Sequence, residues 1–169
     1  MITGDGDIAS VLKDKEDRHY YAAGVSNSQE TRESEYQRDA SLLLQQDRNR
    51  HIVYFGSLSI FYTDTRYAQH KKYMEELVKK NFKHYTIVRL GNIEWGSNPH
   101  TLINFLRNKV KNGESLEIKK VRRYVVEKDE FLHWINLIPD WNAEMNITGQ
   151  YLTVQEIIDK YVNIKDYIK

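Results

Sequence analysis

Residues 51–80, HIVYFGSLSIFYTDTRYAQHKKYMEELVKK, constrain the chain more than any other stretch. Ile52, Val53, Tyr54 and Phe55 make a β-branched and aromatic run that reads as a buried strand. Gly56 and Ser57 end it with a small residue and a hydroxyl. A short polar loop carrying Thr63, Asp64 and Thr65 follows, and Asp64 or Thr65 is placed to cap a helix whose inner face holds Met74, Leu77 and Val78. Tyr67 and Lys71 sit at the start of that helix, four residues apart, so they share one face a turn apart. A free phenol ionises near pH ~10, and an ammonium one turn away favours the phenolate. A serine at the end of the preceding strand can hydrogen-bond the same substrate oxygen. Ser57, Tyr67 and Lys71 therefore form a candidate catalytic triad for proton transfer coupled to hydride transfer. Ser59, two residues on, is an alternative to Ser57. The bland alternative is a solvated helix face, since the chain has 12 tyrosines among which chance pairs arise.

Composition removes several classes of function. A chain of 169 residues is one domain by default and can bury a real core. A net charge of +1 argues against nucleic-acid binding driven by bulk electrostatics. The chain has no cysteine, which excludes disulfides, thiol catalysis and cysteine-ligated zinc. The six histidines show no metal-ligand spacing, and no metal is expected. No apolar run approaches the ~20 residues of a membrane span, and residues near Met1 lack a signal-peptide layout. The expectation is a cytoplasmic protein that binds neither membrane nor nucleic acid.

Along the chain, residues 1–12 open as a strand stub that turns at once. Gly4-x-Gly6-x-x-Ala9 fits a dinucleotide-binding turn. There glycine lets the backbone approach a pyrophosphate, and a small third residue lets helix and strand pack closely. Asp5 and Asp7 bring negative charge to that turn, and a plain left-handed turn before an Asp-capped helix is the alternative. Residues 10–17 read as a short charged helix. The next segment, His19-Tyr20-Tyr21-Ala22-Ala23-Gly24, reads as a strand. Residues 30–47 read as a helix with Tyr36, Ala40, Leu43 and Leu44 inward, and residues 84–90 as another buried parallel strand. Residues 99–111 read as a helix burying Leu102, Phe105, Leu106 and Val110, ended by Asn112-Gly113. Residues 116–119 and 121–126 alternate like strands. Residues 128–137 read as a helix with Phe131, Trp134 and Ile135 inside, and residues 145–149 as a strand. Thr153 and Glu156 fit a capping box at the start of a last helix.

These segments resemble, in order, the extended short-chain dehydrogenase/reductases, the NAD-dependent epimerase/dehydratase family. Thr3-Gly4-Asp5-Gly6-Asp7-Ile8-Ala9 is similar to the family's opening Thr-Gly-x-x-Gly-x-Ile-Gly, one residue shorter. Residues 19–24 resemble its fourth strand beside the cofactor. Ser57-Leu58-Ser59-Ile60-Phe61 and Tyr67-x-x-x-Lys71-x-x-x-Glu75 resemble its catalytic segment, with Phe61 for the usual tyrosine and a shorter loop. Residues 89–99 resemble its Leu-Arg-x-x-Asn-Val-Tyr-Gly-Pro segment. Residues 145–149 resemble its Phe-Asn-x-Gly, and residues from Thr153 its Ser/Thr-x-x-Glu-Leu.

The resemblance implies an α/β fold: a shortened Rossmann-like, doubly wound, mostly parallel sheet that lacks two of the usual N-terminal strands. Residues 1–169 would form one domain, with 99–169 contributing the substrate-side portion. The implied activity is NAD- or NADP-dependent epimerase, dehydratase or reductase chemistry on a nucleotide sugar. Tyr67 would take the hydroxyl proton, Lys71 favour the phenolate and hold the nicotinamide ribose, and Ser57 orient the oxygen. Gly4, Gly6, Asp7, Ile8, Ala22, Ala23 and Gly24, with Tyr67 and Lys71, would face the cofactor. Asn92, Arg122 and Arg123, with Ser57, would face the substrate, and Trp95 would stack on a ring or fill a gap. A homodimer through the helices near 30–47 and 66–80 is implied as well. The alternative is a non-catalytic family member that binds or scaffolds, because the region that grips adenosine is missing.

Overall fold

The structure, a computed structural model, describes residues 1–116, 118 and 120–162. In chain order it forms β1 (Ile2–Thr3), β2 (Arg18–Tyr21), α1 (Glu33–Leu44), β3 (His51–Ser57), α2 (Arg66–Asn81) and β4 (Tyr85–Leu90). It continues with β5 (Asn92–Ile93), α3 (Leu102–Lys111), β6 (Arg122–Val126), α4 (Lys128–Asn136), β7 (Ala143–Ile147), β8 (Gln150–Thr153) and α5 (Val154–Tyr161). Five parallel strands make the main sheet in the order β1-β2-β3-β4-β7. A smaller sheet, β5-β6-β8, pairs β6 antiparallel with β8. The architecture is the expected Rossmann-like one, with helices on both faces of a parallel sheet.

Alternation along the strands divides the core. Tyr21, Tyr54 and Ile87 lie in one register row and pack with Ile52, Leu43 of α1, and Met74 and Val78 of α2. Their neighbours Tyr20, Val53, Phe55 and Val88 turn to the other face. There they meet Phe131 and Ile135 of α4, with Leu12, Trp95 and Val126. Burying each aliphatic side chain of this kind stabilises by about 1.5–3 kcal/mol. A third cluster joins α3 and α5 to β6 through Ile103, Leu106, Val125, Ile157 and Ile158.

The helix expected over residues 10–17 does not form. A three-residue 3-10 turn, Ala9–Val11, takes its place, and Leu12 leaves it in an extended conformation. Lys13-Asp14-Lys15-Glu16-Asp17 offers no apolar stripe to bury, and a short helix without one is unstable. The terminal ammonium of Met1 instead donates to the carbonyls of Lys15 (3.1 Å) and Arg18 (2.8 Å). Two side chains expected inside are largely outside: Phe105 is 48% exposed and Trp134 40%. Ile103 takes the buried position on α3, while Leu102 and Val110 pack partly against its cluster. The expected alternation over residues 116–119 includes Glu117 and Lys119, which lie outside the described residues. The capping box forms: Thr153 Oγ1 accepts from the Glu156 amide (3.2 Å), and the Glu156 carboxylate accepts from the Thr153 amide (2.7 Å).

Candidate active site

The end of β3 and the start of α2 build the site. Ser57 is the last residue of β3, and its Oγ caps the following 3-10 turn, accepting from the Ser59 amide at 3.2 Å. The same hydroxyl donates to Ser59 Oγ at 2.9 Å. Both serines thus belong to one hydrogen-bonded pair, and the two alternatives for the serine role lie side by side. Of the two candidate caps for α2, Thr65 is the one used: its Oγ1 accepts from the Ala68 amide at 3.3 Å. That starts the helix one residue before Tyr67. One turn on, Lys71 is buried with only 4% exposure, and its Nζ lies 5.5 Å from the Tyr67 ring centroid and 5.6 Å from that of Tyr54.

Helix α2 is fixed to the sheet by charge as well as by apolar packing. Glu75, one turn beyond Lys71, takes two hydrogen bonds from the Arg89 guanidinium on β4, at 2.9 and 2.6 Å, and both residues are buried. Arg89 also pairs with Glu144 of β7. Hydrogen bonding to Glu75 raises the Arg89 pKa further above its ordinary value. Removing one partner of such a buried pair costs about 3–5 kcal/mol.

Beneath Lys71 lies a polar cluster that spacing along the chain did not reveal. Asp39 of α1 has no exposed surface. Its carboxylate accepts from the Tyr21 hydroxyl (2.8 Å) and the Val25 amide (3.1 Å) and meets His70 Nε2 at 2.9 Å. Burial pulls this carboxyl upward. The His70 hydrogen bond, the Lys71 charge, the Val25 amide and the Tyr21 hydroxyl together outweigh it and hold Asp39 below the ordinary carboxylate range. Gly24 closes the cluster: a Cβ there would lie 3.3 Å from Lys71 Nζ and 3.4 Å from Asp39 Oδ2. No local signal marks Asp39, because 31 residues separate it from His70. Among the described residues no three His, Asp or Glu side chains converge as a metal site requires.

The glycine turn is divided in its role. Gly4 has φ +118°, and a Cβ there would fall 2.5 Å from the Ala22 carbonyl oxygen, so this glycine lets β1 close onto the end of β2. Ala22 and Ala23 are thereby brought against Gly4. Gly6 has open space around it, as close approach of a phosphate demands. Ile8 is partly buried against the apolar core. Asp7 turns away to the loop after β5. Its carboxylate accepts from the amides of Ser97 (2.9 Å) and Asn98 (3.0 Å), and its carbonyl accepts from Trp95 Nε1 (2.9 Å). Trp95 is buried, 5.1 Å from the Phe131 ring, and fills a gap.

On the substrate side, Asn92 Nδ2 donates to the Tyr124 carbonyl at 2.9 Å, so its amide ties β5 to β6. Arg122 donates to the Tyr151 carbonyl (3.0 Å) and lies over that ring at 5.7 Å. Tyr124 and Tyr151 stack at 4.5 Å. Burial raises the Tyr62 phenol above its ordinary value, opposed by the Arg123 charge and assisted by Tyr67, Tyr124 and Tyr151. The pairing between β6 and β8 sets Tyr124 opposite Tyr151 and Arg123 opposite Leu152.

The fold of this parallel sheet and its helices is shared with enzymes of solved structure. The fold is that of the extended short-chain dehydrogenase/reductases. A UDP-N-acetylglucosamine 4-epimerase from Methanobrevibacter ruminantium, solved with UDP-N-acetylmuramic acid, superposes with a TM-score of 0.63 at 18% identity, over 92% of this chain and 62% of that one. The Bordetella bronchiseptica enzyme WbmG, solved with NAD, gives 0.62 at 14% identity, over 87% and 56%. The dTDP-4-dehydrorhamnose reductase from Bacillus anthracis, solved with NADP, gives 0.68 at 13% identity, over 90% and 63%. The chain thus spans less than two thirds of the length of these structures. No protein-family model and no curated protein matches it by sequence.

Proposed function

We propose that the chain carries the catalytic half of an NAD- or NADP-dependent enzyme acting on a nucleotide sugar, with Tyr67, Lys71 and Ser57 as its catalytic residues. One observation carries the reading: a buried lysine ammonium lies 5.5 Å from the ring of Tyr67, at the carboxyl end of a central parallel strand that itself ends in Ser57. In open parallel sheets, ligands bind outside such strand ends. Tyr67 takes the proton from a substrate hydroxyl, and Ser57 or Ser59 holds the oxygen that loses it. Lys71 puts positive charge beside the position where negative charge develops. The chemistry that a bound nicotinamide would supply is reversible hydride acceptance from the same carbinol carbon, with Tyr67 and Lys71 as the residues that would hold it.

The residues fit the nicotinamide end of such a cofactor, because the Lys71 ammonium lies 5.5 Å from the Tyr67 ring. They fit the pyrophosphate end poorly. No α-helix starts after the glycine turn, and Asp7 carries a carboxylate there. On the substrate side, Arg122 and Arg123 are the diphosphate candidates, each with one guanidinium nitrogen donating to a backbone carbonyl and others left over, and residues 99–169 supply this portion. The reading includes a homodimer through α1 and α2, which the fold family favours. The Asp7 carboxylate and the missing part of the sheet favour a second reading, a non-catalytic binding or scaffold protein.

Calorimetric titration with oxidised and reduced NAD and NADP tests the proposal. Saturable binding in the micromolar range, with turnover of a nucleotide sugar that falls by about 10²–10⁴-fold in a folded Tyr67→Phe variant, is expected. Absence of binding at millimolar cofactor would sink the enzyme reading in favour of the scaffold.

A further inference from the structure

Asp7 makes a contact that no phosphate-binding turn requires. Its two carboxylate oxygens take the backbone amides of Ser97 and Asn98, while its carbonyl takes the Trp95 indole. Between those donors, Gly96 has φ +92°, and a Cβ there would fall 2.1 Å from Asp7 Cγ. Only glycine lets the loop close this tightly on the carboxylate.

Topology turns this contact into a strap. β1 is the edge strand, β2 its neighbour, and β4 lies two places further in. The loop holding residues 95–98 follows β4 and β5 and reaches Asp7 in the turn after β1, on the far side of β2 and β3 in the sheet order. It is also held to the loop after β2, where Asn98 Nδ2 donates to Ser26 Oγ at 3.1 Å. The strap therefore joins the loops leaving β1, β2 and β4, across the strand ends where a dinucleotide would lie. A pyrophosphate seated on Gly6 would come beside a carboxylate of like charge, with no α-helix N-terminus to offset the repulsion.

We propose that the Asp7 carboxylate is an internal competitor for the cofactor's pyrophosphate, and that the strap it holds must open before a dinucleotide seats on the glycine turn. This rests on the cofactor reading above and adds what sets the affinity. Exchange of the Ser97 and Asn98 amides reports the strap, and calorimetry with NADH reports the seat. In Asp7→Ala, both amides are expected to exchange at least about tenfold faster than in the natural chain, and NADH to bind at least about tenfold tighter. Asp7→Asn, which keeps the side-chain shape and one acceptor oxygen without the charge, carries the same expectation for NADH if the alanine variant does not fold. Gly96→Ala opens the strap from its other side with the Asp7 charge retained, and its gain in affinity should be the smaller. NADH binding that is measurable in the natural chain and unchanged or weaker in the Asp7 variants overturns the competitor and leaves the cofactor reading standing. Absence of NADH binding in the natural chain and in folded Asp7 variants overturns both.

Discussion

Asp39 shows how one residue can support a site without touching its reacting atoms. A carboxylate with no exposed surface is costly to bury unless every lone pair it points inward is used. Tyr21, Val25 and His70 use them, and the Lys71 charge lies close behind. Replacing Asp39 with alanine leaves a tyrosine hydroxyl, a backbone amide and a histidine without their common acceptor, and removes the negative charge nearest Lys71. Asp39→Ala is therefore expected to destabilise the fold by about 3–5 kcal/mol, and Asp39→Asn by less because one acceptor remains. Denaturant unfolding of the three proteins measures this. Equal stability of all three would mean that solvent replaces the carboxylate at no cost.

At the scale of elements, β1 depends on one glycine. β1 has only two residues paired to β2, Ile2 with Tyr20 and Thr3 with Tyr21. The turn that follows must drop onto the end of β2, where the Ala22 amide donates to the Thr3 carbonyl at 2.8 Å. Gly4→Ala meets two obstacles there, a positive φ and a carbonyl oxygen 2.5 Å from the new carbon. A loss of about 1–3 kcal/mol is expected, with amide exchange at Ala22 rising before exchange elsewhere in the sheet. Protection at Ala22 equal to that of the natural chain would contradict this account of the turn.

For the whole molecule, acid stability follows from histidines held neutral inside. Burial, then the charges of Arg18 and His84, depress the His51 pKa to about 4, and His51 Nε2 sits 2.8 Å from Thr86 Oγ1. Burial, then the charge of the terminal ammonium, lowers His19 as well. An unfolded chain protonates its histidines below pH ~6.5, whereas the folded chain resists. Their contribution is whole above that pH and is lost as pH falls toward the folded value, about 4 for His51. The slope is at most about 1.4 kcal/mol per pH unit for each group. Asp39, also depressed when folded, adds a loss at still lower pH. The unfolding midpoint should therefore fall between pH 7.5 and 5, and fall less in His51→Gln.

Local features of the chain were enough to establish the strand at 51–57, the helix bearing Tyr67 and Lys71, the strand at 85–90 and the Thr153 capping box. Each rests on periodicity, β-branching or a cap within one turn, and such signals survive without tertiary context. The shortened, mostly parallel sheet also followed, once the segments were seen to occur in a familiar succession. Other features depended on packing between distant segments. The charged residues 13–17 did not become a helix because nothing apolar covers them. Phe105 and Trp134 lie largely outside because neighbouring helices buried other faces. Asp39 meets His70 only when helices α1 and α2 pack side by side, and Asp7 meets Ser97 and Asn98 only when loops far apart in the chain become neighbours. Hydrophobic pattern and capping are properties of a few consecutive residues, and the sequence by itself determined them. The partner of a buried charge is a property of the folded surface around it, and only the tertiary structure decided that.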